Sequence, residues 1–531
     1  MSFDAQASAM SHAEIVELLK VHDALQRTLE EVRHSRDELA RQVEWFQRQL
    51  FGAKSERRIF EEAGHQLTLG EIQRADRAAA SEIEVAGHRR RRAEGASEAE
   101  AQPLRFDASV PVEVIELGNR EITHPEDWAL VGEKVTDRLA QRPGSYVVLR
   151  YVRKVYKRKT DGSFSCSPAP AAVLEKSCAD VSLLAGLLID KFVYHLPLYR
   201  QHQRLAAAGV HLARSTLTDL LHRTADLLAP VHAAQLRSIM ASSVLAMDET
   251  PIKAGHKKRP PPQRGVMRTG YFWPIYGDRD EIAFPFATTR GSEVVREALR
   301  DFGGVLLTDG YRVYDRYVEA TNGIVHAQCW AHTRRHFEEA AASEPGRCER
   351  ALEMIGELYH GEKGMRELSL PAEKVLSYRG EHAKPVVDRF FEWLRATLNE
   401  ELLLPTNPFT KAANYALTRE KALRVFLEYP DVALDTNHLE RAIRPIPMGR
   451  KAWLFCWTEI GAEYVGIVQS LLSTCRVQGI DPYTYLVDVL QRIDTHPARD
   501  VTLLTPRLWK ETFAEDPLRS DIDRIPIPRH G

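Results

Sequence analysis

The chain has 531 residues, with 72 basic and 74 acidic side chains and a formal net charge of −2. That length exceeds one ordinary core of roughly 100–200 residues and predicts three or four domains. Near-balanced charge excludes any argument for nucleic acid or membrane from net charge alone, so only local clustering is informative.

Residues 1–50 come first. From Ile15 to Leu50 there is neither Pro nor Gly, and Leu18, Leu25, Val32, Leu39 and Phe46 recur every seven residues. A second row holds Ile15, Leu29, Val43 and Leu50, interrupted by His22 and Arg36. Two apolar rows at this period predict a coiled coil that makes a homo-oligomer through residues 15–50. Residues 51–102, from "FGAKSERR" through "HRRRR" (88–92), read as a polar linker.

Residues 103–178 carry β-like runs and predict a small β-rich domain. One run, "YVVLRYVRKVYKRK", sets Arg150, Arg153, Lys154, Lys157, Arg158 and Lys159 among Tyr146, Tyr151 and Tyr156. It reads equally as a ribbon for a nucleic-acid backbone and as a solvent-facing edge strand blunted by charge. Six cysteines (Cys166, Cys178, Cys329, Cys348, Cys456, Cys475) show no C-x-x-C pair, which predicts a reduced intracellular protein. No run approaches about 18 apolar residues, and Asp4, Glu14 and Glu17 do not suit a secretory signal, so the expected location is cytoplasmic, with no membrane partner.

Residues 179–235 have the outline of a helix-turn-helix. A helix from about Leu198 ends near Gly209, and Ser215 is placed to cap a second one beginning Thr216-Leu217. That second helix would offer Thr216, Thr218, Asp219, His222 and Arg223 to a DNA groove. Similar helix pairs also occur in bundles without DNA.

Residues 236–480 hold the chemistry. "SSVLAMDETPIKAG" is an apolar strand ending in Asp248, and "GGVLLTDGYRVYDRY" repeats the pattern with Asp309. If the two strands are neighbours, the aspartates make a hard-oxygen site for Mg²⁺. Glu249 would point to the opposite face. In "DTNHLERAIRPIPMGRKAWLF", Asn437, Glu440, Arg441 and Arg444 share one helical face; Pro445 should end that helix, with Arg450 and Lys451 in a basic turn. The order strand-Asp, strand-Asp, helix-Glu is that of a ribonuclease H-like α/β core, where two metal ions about 3.5–4 Å apart clamp in-line attack at phosphorus.

At these residues the chain resembles the transposases of the bacterial insertion sequence 66 family. "MDETPIK", "TDGYRVYDRY", "CWAHTRRHFEEA" and "NHLERAIRPIPMGRKAWLFCWTEIGAE" look like that family's blocks in order, with the N-terminal heptads, "FGAKSERR" and "LPLYRQHQRLAAAGVHLARSTL". The resemblance implies a DDE transposase with Asp248, Asp309 and Glu440 as catalytic metal ligands for two Mg²⁺ or Mn²⁺ ions. It further implies a helical insertion at about 335–430, and DNA partners comprising terminal inverted repeats and target DNA. Cys329-x-x-His332 is similar to a C-x-x-H signature of such enzymes and reads as a packed strand end; Arg334, Arg335 and His336 would meet phosphates or face water. Relatives usually carry a cysteine-rich zinc segment, but residues 103–178 hold only Cys166 and Cys178, so no zinc is expected.

The expected architecture is therefore multidomain α+β: coiled coil, linker, β-rich domain, helix-turn-helix, ribonuclease H-like core with a helical insertion, and a C-terminal tail from 481 to 531. Expected DNA contacts are Arg214, Thr216, Thr218, Arg223, Arg441, Arg444, Arg450 and Lys451. The expected function is cleavage and strand transfer at the ends of an insertion sequence in a bacterial, nucleoid-associated setting, with small accessory proteins of the same element as further partners. Alternatives are a metal-dependent nuclease without strand transfer and a catalytically inactive DNA-binding oligomer.

Overall fold

A computed structural model describes residues 106–525 apart from 120, 121, 123, 143, 176, 258–265, 401, 402, 454, 455 and 457. The chain divides into two compact units, residues 1–86 and 87–531, and every described residue lies in the second. The expected coiled coil and residues 51–86 of the expected linker fall in the first unit, and both segments in full, through residue 102, lie outside the described residues. The described part is a mixed α+β structure. Among the described residues no helix is long and apolar enough to cross a membrane.

The first sheet contains β1 (Val112–Leu117), β2 (Trp128–Arg142), β3 (Ser145–Arg158) and β4 (Phe164–Cys166), in the order β1-β3-β2, with β4 also on β3. The basic and aromatic run is β3, paired on both sides, so it is a central strand and neither an edge nor an open ribbon. Tyr146 and Tyr151 are buried in the core. Arg150 makes two hydrogen bonds to Asp137 across the sheet, at 2.8 and 3.1 Å, and Lys154 reaches Glu116 at 2.8 Å. Cross-strand partners of opposite sign thus take up two of the six cations that the sequence displays, Arg150 and Lys154.

Three helices follow: α1 (Val181–Phe192), α2 (Leu198–Ala207) and α3 (Arg214–Met240). Apart from Lys191, every residue of α1 is buried, and its first turn is capped by Asp180, which accepts from the Ser182 N–H at 2.9 Å. Gly209 takes φ +80° in the turn after α2, as expected of a helix terminator. The cap of α3 differs from expectation: Ala213 occupies it without a side-chain bond, and Ser215 lies in the first turn. Leu217, Leu220, Leu221, Thr224, Leu228 and Val231 form its buried stripe at helical spacing. The helix runs unbroken past 235/236, where a domain boundary was expected. There Gln235 donates to the Ile282 carbonyl (2.7 Å) and the Thr474 hydroxyl (2.9 Å).

The second sheet has five strands: β5 (Val244–Met247), β8 (Ile275–Gly277), β9 (Glu281–Ala283), β11 (Val305–Thr308) and β12 (Val325–Gln328), in the order β12-β11-β5-β8-β9. β5, β11 and β12 are parallel, whereas β8 and β9 run antiparallel to their neighbours. Between them, β6 (Thr250–Lys257), β7 (Val266–Phe272) and β10 (Phe286–Ala287) form a three-stranded sheet. Strand alternation divides the interior. Val244, Ala246, Val305 and Leu307 join one apolar cluster, while Leu245, Met247 and Leu306 join another with Trp273 and Tyr314.

α4 (Ser292–Ala298) and α5 (Arg312–Glu319) cover the second cluster. α6 (Trp330–Ala340), α7 (Pro345–Glu367), α8 (Ala372–His382), α9 (Lys384–Glu400), α10 (Pro408–Thr418) and α11 (Glu420–Leu423) make up a helical block over the residues where an insertion was expected. α12 (Asn437–Ile443) is followed directly by α13 (Pro445–Trp453), then α14 (Glu459–Val477) and α15 (Pro482–Arg492). Pro445 thus ends one helix and opens the next, so Arg450 and Lys451 are helical and not in a turn. Proline's missing N–H costs nothing at a first helical position. The expected C-terminal tail is also packed: Tyr151 donates to Asp521 at 2.9 Å, Ser520 to Asp180 at 2.6 Å, and Ile522 is fully buried.

Candidate active site

β5 and β11 are parallel neighbours in a register that sets Val305, Leu306 and Leu307 opposite Val244, Leu245 and Ala246. Two residues beyond Ala246 and Leu307 lie Asp248 and Asp309, at one level of the sheet and on the face of Ala246 and Leu307. Side chains in parallel pairs share a face at period two, so the register alone juxtaposes these carboxylates. They sit at the carboxyl ends of parallel strands, where chains of this class open a crevice.

Asp248 is half-buried. Burial pushes its carboxyl up to about 7, opposed by the hydrogen bond from the Glu249 N–H (2.7 Å). The charges of Asp309 and Glu249 add to the rise, and His332 opposes it. Asp309 accepts from the Tyr311 N–H at 2.9 Å, which fixes the turn after β11. At Gly310 an added Cβ would stand 2.3 Å from the Tyr415 hydroxyl, so the helical block presses directly on that turn. Arg419, stacked on Tyr415 at 3.9 Å, donates to the Gly310 carbonyl at 3.4 Å.

Glu440 lies on α12, with its carboxylate 3.9 Å from His332 Nε2. His332 thus faces Glu440, and its charge also acts on Asp248. Among the described residues no three His, Cys, Asp or Glu side chains close into a metal-holding cluster. The three expected acids are brought to one end of the sheet in two parts, the paired aspartates and the His332-linked glutamate. The donor set suits Mg²⁺ or Mn²⁺: hard oxygens and an acid burdened by burial and two like charges. Asp248 and Asp309 would hold such an ion.

The expected DNA contacts divide by environment. Arg441 and Arg444 are exposed on the helix of Glu440. Arg450 donates to the Pro251 carbonyl at 2.5 Å, tying α13 to the strand that follows Asp248; Lys451 lies on the same helix. On α3, Arg214 stacks over Tyr199 at 5.5 Å and Thr216 is half-buried. The Thr218 hydroxyl bonds back to the Arg214 carbonyl (3.2 Å), and Arg223 donates to the Glu175 carbonyl (2.9 Å). His222 packs on Tyr464 of α14 at 4.8 Å and faces inward. His336 stacks on Tyr415 at 4.0 Å, Arg334 pairs with Glu338 at 2.8 Å, and Arg335 is exposed.

Sequence reasoning missed several neighbours. Glu249 does face away from Asp248, on the side of Met247, but that side is enclosed: its side chain is 4% exposed. It accepts from Arg290 Nε at 2.8 Å and from the Tyr314 hydroxyl at 3.2 Å. Tyr415 and Arg419 carried no local signal, because their place depends on how the helical block folds back.

Residues 176–464 match the family described as Transposase IS66 family, residues 470–506 its IS66 C-terminal element, and residues 38–115 the Transposase C of IS166 homeodomain. The last match lies upstream of α2 and α3. Similar curated chains come from Sinorhizobium fredii (strain NBRC 101917 / NGR234). The uncharacterized protein y4hP is 32% identical over 72% of each chain. The uncharacterized protein y4jD is 28% identical over 72% of this chain and 76% of its own. Among solved structures, the Drosophila P element transposase strand transfer complex aligns with 57% of this chain and 93% of that one, at 11% identity and a TM-score of 0.30, too low to argue from.

Proposed function

Because the chain belongs to the IS66 family of transposases, we propose that it cuts DNA at the terminal inverted repeats of an insertion sequence and joins the 3′-ends to target DNA. The observation that carries this reading is the register of β5 and β11, which sets Asp248 and Asp309 side by side at the carboxyl end of parallel strands. The five-stranded order β12-β11-β5-β8-β9, with two parallel and two antiparallel pairings, supports a ribonuclease H-like core.

In this reading Asp248, Asp309 and Glu440 are the catalytic acids, and Asp248 and Asp309 hold the divalent ion. Bound Mg²⁺ or Mn²⁺ supplies Lewis-acid polarisation of the phosphoryl oxygens and lowers the pKa of the attacking water or 3′-hydroxyl. His332 orients the Glu440 carboxylate toward the pair. Tyr311 and Gly310 keep the Asp309 turn rigid, which in-line attack requires. Arg441 and Arg444 give an exposed basic face beside the acids for the phosphate backbone, with Arg450 and Lys451 on the next helix. On α3 the candidates remain Arg214, Thr216, Thr218 and Arg223, all half-buried, with Arg214 stacked on Tyr199 and Thr218 and Arg223 bonded to backbone carbonyls. Self-association through residues 15–50, a bacterial nucleoid-associated setting, and assistance from accessory proteins of the element complete the reading.

The test incubates the full chain with labelled DNA carrying its element's ends and a supercoiled target, with Mg²⁺, Mn²⁺ or EDTA, beside Asp248→Ala. Joined 3′-ends that vanish with EDTA and in the variant are expected. Cutting without joining would replace the proposal with a nuclease, and binding without cutting would replace it with an inactive DNA-binding oligomer.

A further inference from the structure

Arg290 lies in the loop before α4, far in sequence from both aspartates, yet residues adjoining each of them grip it. Glu249, next to Asp248, accepts from its Nε at 2.8 Å and also from its Nη2. Tyr311, two residues after Asp309, places its ring 4.1 Å from the guanidinium, and its hydroxyl donates to the Arg290 carbonyl at 3.1 Å. The same Tyr311 gives its N–H to Asp309. Arg290 is thus bracketed between the two strand ends that carry the acids. Its side chain is nevertheless 46% exposed, while Glu249 beneath it is 4% exposed.

A DNA strand entering this end of the sheet brings its own negative charge toward Asp248, Glu249 and Asp309. A cation fixed at the rim offsets that repulsion only if it is rigid and still open to solvent. Arg290 meets both conditions, because one edge of the guanidinium is anchored and one face is stacked. A planar fork suits phosphate oxygens in a way that a flexible ammonium does not.

Resting on the DNA-cutting reading above, we propose that Arg290 is a substrate-positioning residue that grips a DNA phosphate flanking the one to be cut, with Glu249 and Tyr311 as its mounts. Neutralising Arg290 alone would strand the buried Glu249 carboxylate and confuse binding with folding. The informative variants are therefore Glu249→Gln/Arg290→Gln, which removes both charges together, and Arg290→Lys, which keeps the charge and loses the fork.

Full-length protein would be measured for binding to a labelled duplex bearing the element's ends across a salt series, for Mg²⁺-dependent cutting, and for thermal unfolding. The double variant should melt close to wild type, bind about tenfold more weakly, and show a salt slope shallower by about 0.9. Arg290→Lys should keep most of that slope but cut about tenfold more slowly. A wild-type salt slope in the double variant would overturn the role of Arg290 and leave it as the counter-charge of Glu249. The salt slope decides this whether or not wild type cuts. A wild type that binds but never cuts overturns the transposase proposal alone, and one that binds no DNA overturns both.

Discussion

Thr436 donates both its backbone N–H and its hydroxyl to the Cys329 sulfur, each at 3.3 Å, in the buried interior. Thr436 caps the helix of Glu440, and Cys329 leaves β12 with its own N–H on the Thr308 carbonyl at 3.1 Å. Trp330 adds bonds to the Leu434 carbonyl (3.0 Å) and, through its indole, to the Leu423 carbonyl (2.9 Å). The cysteine of the C-x-x-H motif is thus a joint between the sheet and the helix of Glu440, and the histidine three residues on reaches the glutamate itself.

Cys329→Val should cost about 1–3 kcal/mol, because it leaves two buried Thr436 donors without an acceptor. Cys329→Ser should recover part of that loss. Urea unfolding of the two variants beside wild type measures the difference, and equal midpoints would reject the joint.

Arg379 is 2% exposed and holds Glu362 through two bonds of 2.7 and 2.9 Å. It also donates to the carbonyls of Phe426 (2.7 Å) and Val432 (3.1 Å), on the segment leading to Glu440. Arg379→Met should destabilise the helical block by about 3–5 kcal/mol, since a buried carboxylate is left unpaired. Adding Glu362→Leu should return part of that stability in the same denaturation series.

If Asp248 and Asp309 hold a divalent ion, Mg²⁺ at about 100 times its dissociation constant stabilises the fold by about 2.7 kcal/mol. The wild-type melting temperature should then rise with Mg²⁺ by roughly 2–4 °C, without DNA present. Asp248→Asn should melt above metal-free wild type, since it removes a repelled and half-buried carboxylate, and should not respond to Mg²⁺. A variant that still responds would place the ion elsewhere.

Arg441→Ala and Arg444→Ala should weaken DNA binding evenly across sequences and reduce the salt slope by about 0.9 each, with unfolding unchanged within about 0.5 kcal/mol. Sequence-selective losses in a binding array would instead indicate base contacts.

Much of the fold and candidate site was legible locally. The two strand-end aspartates and the turn at Gly209 followed from apolar runs and glycine punctuation, because those signals act over a few residues, whereas a helical block after Asp309 was expected only from the family resemblance. Local reading failed where a tertiary partner decides the outcome. β3 looked equally like an open basic ribbon and a charge-blunted edge strand until strands paired with it on both sides, with Asp137 and Glu116 opposite Arg150 and Lys154. Ser215 looked like the cap of a helix beginning at Thr216, but α3 begins two residues earlier, at Arg214. Pro445 looked like a stop and became the first residue of another helix.

By itself the amino-acid order determined which acids stand at strand ends, which helix carries Glu440, and which family the blocks resemble, since each is written in contiguous residues. Only the tertiary structure decided that Asp248 and Asp309 share a face and a level, because that depends on the pairing of β5 with β11 across some sixty intervening residues. The same holds for the buried mounts of Arg290, the Cys329–Thr436 joint and the pressure of Tyr415 on Gly310. Each joins segments distant in sequence, and their meeting is set by the packing of the whole core.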